Sequence, residues 1–256
     1  MRRLLDLIAP VALVAVLLGV WEASCRISGV PAYFLPTPSA VAVAMVTSAR
    51  PLFASAMNTL AMALSALGVA AAIALPLAGL AGLSATVSRA LSPLAVALQV
   101  TPVVAVAPLA VIWAGLDHPE RAIVGLAAVV AFFPLFSGAL TGLRCADRDL
   151  ERLFDLYGAG RVQRLIRLRI PASVPFVLEG LKVAAGLSVI GAVVAEFVAG
   201  TGAAQGLAWR ILEAGARLRT AEMFAALFAL AALGAGLHAL LGILEQRALT
   251  VWRGNR

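Results

Sequence analysis

The side chains able to do covalent or proton-transfer chemistry are few in this sequence and widely scattered. The only histidines, His118 and His238, lie far apart, and so do the only cysteines, Cys25 and Cys145. No group of His, Cys and carboxylate has metal-ligand spacing. A phosphate-cradling loop needs Gly-x-x-x-x-Gly-Lys-Ser/Thr, whereas the single lysine, Lys182, stands between Leu181 and Val183. The expectation is a chain that is not an enzyme and carries no cofactor or metal of its own.

What the chain does offer is charge set among apolar residues. The stretch 156–171, LYGAGRVQRLIRLRIP, holds Arg161, Arg164, Arg167 and Arg169, with Gly158 near its start and Pro171 at its end. Just upstream, Leu153, Phe154 and Tyr157 can form an apolar ridge on the expected helix. Glu196 is the other exception. A carboxylate within an apolar span costs roughly 2.5 kcal/mol or more at a bilayer centre, so it is expected to face a polar cavity or a partner, as a gating or substrate-contacting group or as a structural pair near the outer interface. Gln99 and Pro102 interrupt a further apolar run, and Trp113 near its outer end suits an interface anchor. Gln99, Pro102, Trp113 and Glu196 are the candidates for a path through the protein.

The elements that position these residues are set by lipid. Of the 256 residues 62% are hydrophobic and only 13% charged, against about 25% charged in a soluble domain; mean hydropathy is +0.99. The expected class is an all-α polytopic membrane protein. The apolar runs are continuous, and only helices satisfy their backbone in hydrocarbon. Six transmembrane helices are expected, near 7–25, 58–83, 90–116, 122–143, 175–200 and 223–244, in one transmembrane domain spanning 1–256. The opening MRRLLDLIAP lacks a clean cleavage site downstream and is expected to be a retained first span. The net charge of +7 reads as topology signal rather than nucleic-acid binding. With the N-terminus inside, fourteen of the twenty Lys and Arg fall on the cytoplasmic side and six outside, the orientation that the positive-inside rule favours. Both termini and the loop 144–173 are then cytoplasmic.

Local signals refine this outline. A helix over about 148–157 should end at Gly158. A second helix should follow, with Pro171 and Pro175 restarting the chain into the fifth span. Ser39 is the expected N-cap of the helix after the proline-rich 30–39 segment, and Asn58 and Thr59 suit caps of the second span. Pro102 and Pro108 should bend the third. Leu207, Ile211 and Leu212 can form one face of a short interfacial helix, and Gly138-x-x-x-Gly142 permits close helix packing.

The loop also carries a family resemblance. A glycine followed thirteen residues later by a proline, with aliphatic residues three and one before that proline, is the coupling-loop signature of bacterial ABC importer permeases; Gly158, Leu168, Ile170 and Pro171 match it. VLEGLKVAAGLSVIGAVVAEF (177–197) resembles the nitrate/sulfonate/taurine type. FLPTPSAV (34–41), PVVAVAPLAVIWAGL (102–116) and FFPLFSGALTGLR (132–144) do so too, in the same order. The resemblance implies a bacterial inner-membrane, multi-pass subunit of an ATP-driven, binding-protein-dependent importer. It further implies a homodimeric pore, an external solute-binding protein, and two cytoplasmic ATPase subunits that hold ATP and Mg²⁺. Contacts to the ATPase would come from Leu153, Phe154, Asp155, Tyr157, Gly158, Ala159, Arg161 and Pro171. One departure stands out. Such loops usually read Glu-Ala-Ala six, five and four residues before the glycine, where this chain has Arg152, Leu153 and Phe154, with Glu151 one place early. The solute is expected to be nitrate-, sulfonate- or taurine-like, or pyrimidine- or riboflavin-like. The alternative is an ion-gradient-driven secondary transporter, which would predict inverted repeats around charged midplane sites.

Overall fold

The computed structural model of the chain describes residues 2–115, 118–199 and 204–254, and the side chains within these from residue 12 onward except at 251, 253 and 254. The described residues are helical, with no strand. They form α1 (Arg2–Ser28), α2 (Pro38–Thr47), α3 (Ala49–Leu83), α4 (Ala85–Val100), α5 (Val103–Ala114), α6 (Pro119–Arg144), α7 (Arg148–Leu156), α8 (Arg161–Arg164), a π-turn (Leu165–Arg169), α9 (Ile170–Ala199), α10 (Leu207–Ala216) and α11 (Thr220–Gly254). Four stretches among the described residues are long and apolar enough to cross a membrane: 49–83, 119–144, 161–199 and 220–250; α4 and α5 make a fifth if that bent pair is one span.

The expected third span, 90–116, is not a single rod. It is α4 and α5 meeting at 96°. The break falls at Thr101 because the residue before a proline is pushed out of the α region; Thr101 has φ −67° and ψ 123° and its hydroxyl donates to the Ala97 carbonyl at 2.7 Å. Pro108 lies within α5 and breaks nothing. The end of that segment and the 200–203 stretch of the next loop lie outside the described residues.

Three further expectations are corrected. The N-cap of α2 is Thr37, not Ser39; Thr37 Oγ1 accepts from Ala40 N and Pro38 fills the first helical position. Asn58 and Thr59 are not caps, because α3 begins at Ala49 and runs through them. Pro171 and Pro175 do not restart the chain, since helix continues from Arg161 to Ala199. A proline clashes with the carbonyl four residues back. For Pro171 that is Arg167, which sits inside the π-turn, where the wider helix makes room.

The chain packs into two compact units. One comprises the N-terminal segment up to Met57 with Gln205–Ala231. Here Trp21 packs its ring on Phe224 and Phe228, with centroids 5.6 and 6.4 Å away. Glu22 accepts from the Ser39 backbone and hydroxyl at 3.0 and 2.8 Å, tying α1 to the start of α2. Leu207 on α10 is fully buried, and Arg210 donates to Ser55 Oγ at 3.1 Å.

The other unit comprises Asn58–Ala204 with Ala232–Arg256. Its centre is the pair α6 and α9, which touch through backbone. A Cβ on Gly142 would lie 2.8 Å from Ser173 Cα, one on Gly138 2.9 Å from the Phe176 carbonyl, and one on Gly191 2.8 Å from Ala127 Cα. Gly180 faces the Pro134 carbonyl from the opposite helix. α5 packs on both members of the pair. Lys182 bridges Glu179 at 2.7 Å and Glu245 at 2.8 Å, joining α9 to the end of α11. Both cysteines are free thiols.

The seam predicts a sharp contrast between two glycines of the same pair. Gly142→Leu forces the backbones apart and should destabilise by about 1–3 kcal/mol or more, seen as loss of the monodisperse peak in detergent. Gly186→Leu, where a Cβ meets nothing within 4 Å, should elute as the parent does.

Candidate functional site

The elbow between α6 and α9 is built on α7. Asp147 caps its start by accepting from Asp149 N at 2.8 Å, and Asp149 and Glu151 stand in its first turn, where carboxylates favour the helix dipole. Its end is a Schellman motif: Ala159 N donates to the Phe154 carbonyl at 2.9 Å and Gly158 N to the Asp155 carbonyl at 3.0 Å. That geometry puts Gly158 at φ +65°, a conformation glycine adopts without the Cβ penalty. The expected helix and its glycine terminator are therefore both present.

What the elbow holds onto is ionic. Glu151 accepts from Arg169 Nε at 2.6 Å and from Arg164 Nη1 at 3.1 Å. Arg164 also pairs with Asp155, and Arg169 Nη1 donates to the Gly82 carbonyl at 2.9 Å, reaching the end of α3. Arg164 and Arg169 are five residues apart, so an ordinary α-helix would turn them to different sides. In the π-turn, hydrogen bonds run between residues five apart, as Ile170 N to the Leu165 carbonyl shows, and the two guanidinia converge on one carboxylate. The hydrogen bond from Arg169 is the main reason the Glu151 carboxyl sits below its usual range, with Arg164 adding to it.

This clamp sorts the faces of α7. Phe154, one turn from Glu151, is half-buried against the body. Leu153 is 43% exposed, Tyr157 83% and Leu156 84%. Leu153, Leu156 and Tyr157 are thus outward apolar residues, joined by Leu150 at 43% exposure, while Phe154 is half-buried. Asp155, Gly158 and Arg161 are exposed and Ala159 is half-buried beside them; Pro171 lies within α9. Sequence reading missed Glu151, Arg164 and Arg169 as a unit and Leu156 as part of the ridge. The misplacement of the acid by one residue was the only available signal.

The path candidates are not gathered into one site. Glu196 is buried at 3% exposure in α9 and is held in an interaction there. Gln99 and Pro102 are exposed on either side of the α4–α5 break, and Trp113 is 77% exposed near the end of α5. Among the described residues no three His, Cys, Asp or Glu side chains are placed to hold a metal ion. A separate cleft of about 240 Å³ in the first unit is lined by Arg210, Glu213, Arg217, Arg219 and Glu222.

Loss of the clamp should be measurable. The pairs are partly exposed, so each contributes only about 0.2–1 kcal/mol. Glu151→Gln should therefore raise amide exchange in α7 up to about fivefold while leaving the α6–α9 core protected. Folding lowers the Glu151 pKa, so its contribution is present above the unfolded value of about 4.3 and is lost as pH falls through the lower folded value. Parent and variant should converge in exchange below that range; persistence of the difference there would count against the clamp.

Comparison with known proteins agrees with this anatomy. Residues 74–250 match the family described as the binding-protein-dependent transport system inner membrane component. The chain is 32% identical over 235 residues to the formylaminopyrimidine transport permease protein of Halalkalibacterium halodurans, covering 91% of this chain and 92% of that protein. It is 35% identical over 248 residues to the riboflavin transport system permease protein of Chloroflexus aurantiacus (96% and 90%), and 31% identical over 252 residues to the taurine transport system permease protein of Escherichia coli (94% and 88%). These are ABC import systems, not ion-gradient-driven secondary transporters. The chain belongs to the binding-protein-dependent inner-membrane component family: it is a multi-pass, non-catalytic permease subunit of an ABC importer.

Proposed function

We propose that α7 is the handle by which a cytoplasmic ATPase drives this permease. The supporting observation is the combination of an outward ridge, Leu153, Leu156 and Tyr157, with a helix braced from behind by Glu151, Arg164 and Arg169. An apolar ridge is suited to a groove. Arg161, exposed beside it, is suited to pairing with acidic residues at the groove rim. In this reading Asp155, Gly158 and Ala159 shape the turn, and Phe154 and Pro171 support it from within. ATP and Mg²⁺ are bound by the partner.

The same reading completes the topology. α1 and the α4–α5 pair serve as spans one and three, giving six, with both termini and the elbow in the cytoplasm as the charge distribution favours. The whole of 1–256 acts as one permease domain. Two copies form the pore, and an external binding protein delivers the solute. The related permeases are named for formylaminopyrimidine, riboflavin and taurine transport, so the solute is a small compound of the nitrate/sulfonate/taurine or pyrimidine/riboflavin-like classes. Gln99, Pro102, Trp113 and Glu196 are the chain's contribution to the path or its gate.

The experiment is uptake of the solute captured by the cognate binding protein, in vesicles containing the ATPase. Tyr157→Asp puts a charge on the ridge, and Gly158→Pro removes both the positive φ and the N–H that bonds Asp155. Each should reach the membrane at parental level yet reduce ATP-coupled uptake by at least about tenfold, and Tyr157→Asp should weaken co-purification of the ATPase. Parental uptake in both variants would refute the docking role.

A further inference from the structure

Behind the elbow lies a cleft that shares Asp155 and Arg161 with the proposed docking surface. It has a volume of about 320 Å³ and is lined by Gly82, Leu83, Asp155, Arg161, Arg164 and Arg169. Three arginines face two carboxylates there, counting Glu151, so one positive charge is left over. Arg161 has no ionic partner among the described residues. Arg164 Nε is buried without an acceptor, although the other nitrogens of that guanidinium are paired. With Arg164 largely buried and already paired, Arg161 is the guanidinium left to take an anion that offsets the surplus charge.

The position of the cleft narrows the choice of anion. Gly82 and Leu83 end the membrane-length helix α3, and Arg161, Arg164 and Arg169 begin the membrane-length run 161–199. The cleft therefore sits at one end of two membrane-length helices. Beside it is a second groove of about 280 Å³, almost wholly apolar, lined among others by Leu75, Gly79, Leu143, Ile170 and Val174. Gly79 is three residues before Gly82, about 4.5 Å along α3, and Ile170 directly follows Arg169. The basic cleft and the apolar groove are thus neighbours along the end of α3 and the start of α9.

We infer that these two cavities form one site for a phospholipid with an anionic headgroup. The phosphate lies against Arg161, and an acyl chain runs along the groove past Gly79. Basic sites between spanning helices favour such headgroups over zwitterionic ones. The tail gains little over bulk lipid, so selectivity resides in the arginines and retention in the fit of the groove. Arg161 is common to this site and to the proposed docking surface, so lipid retention is read on the chain without its ATPase.

The test is native mass spectrometry of the full chain, delipidated in mild detergent and titrated with phosphatidylglycerol, phosphatidylcholine or inorganic phosphate. The parent should retain one phosphatidylglycerol per chain in preference to phosphatidylcholine, and millimolar phosphate should not displace it. Arg161→Gln should weaken phosphatidylglycerol by about fivefold and bring it close to phosphatidylcholine. Gly79→Leu, at a position where a Cβ meets nothing within 4 Å, should fill the groove and lower retention of both lipids. Should Arg161→Gln fail to fold, Gly79→Leu decides alone. Equal retention of the two lipids by the parent, unchanged binding in the variants, or displacement by inorganic phosphate would each overturn the assignment.

Discussion

Contact between the backbones of α6 and α9 is the constraint on which the rest of the second unit depends. In lipid there is no hydrophobic gain from bringing two apolar helices together, so association rests on packing and on close approach. Gly138 and Gly142 on one helix and Gly180 and Gly191 on the other leave room for main chain against main chain. The seam also fixes the stems of the elbow. Gly142 lies two residues before the end of α6, and the Ser173 that it touches lies four residues after the π-turn. Both ends of 144–173 are therefore pinned at one place, and the loop between them is short enough to be braced rather than free.

The bracing explains the departure from the Glu-Ala-Ala pattern. With the acid one place early, Glu151 points back to Arg164 and Arg169 and joins α7 to the base of α9 and, through Arg169, to the end of α3. Phe154 follows it inward. The residues that then face outward are Leu153, Leu156 and Tyr157, larger and more apolar than alanines. The exposed apolar surface of α7 is thus built from larger side chains, on a helix framed by Asp147 and Gly158.

How much of this could be read in advance depended on whether the signal was local. The membrane class followed from composition. The end of α7 followed from Gly158, because only a positive-φ residue completes that turn. On α6 the small residues of the seam, Gly138 and Gly142, were visible as a spacing, while their α9 partners Gly180 and Gly191 were not. Other features were decided by contacts between distant positions. The π-turn is invisible to any argument from a 3.6-residue period, so the partnership of Arg164 with Arg169 was hidden, as was the unbroken passage through Pro171 and Pro175. Thr37 and Ser39 are both good caps, and the position of Pro38 decided between them. Asn58 and Thr59 carry polar side chains that suit a helix start, yet α3 extends nine residues earlier to Ala49. The break at Thr101 was foreseen as a bend at Pro102, but its 96° sharpness turns one expected span into two short helices, of about 24 and 18 Å at 1.5 Å per residue.

The unbroken run from Arg161 to Ala199 has a mechanical corollary. At 1.5 Å per residue it is a rod of about 58 Å, clamped near one end by a single carboxylate and carrying Glu196 close to the other. A rod of that length has leverage. Tilting it by about 5° about the clamped end sweeps the far end through roughly 5 Å, nearly the pitch of a helical turn. Rigidity alone would thus convert a displacement too small to notice at the Glu151 end into one large enough to open or shut a molecule-sized gap at the opposite face of the bilayer.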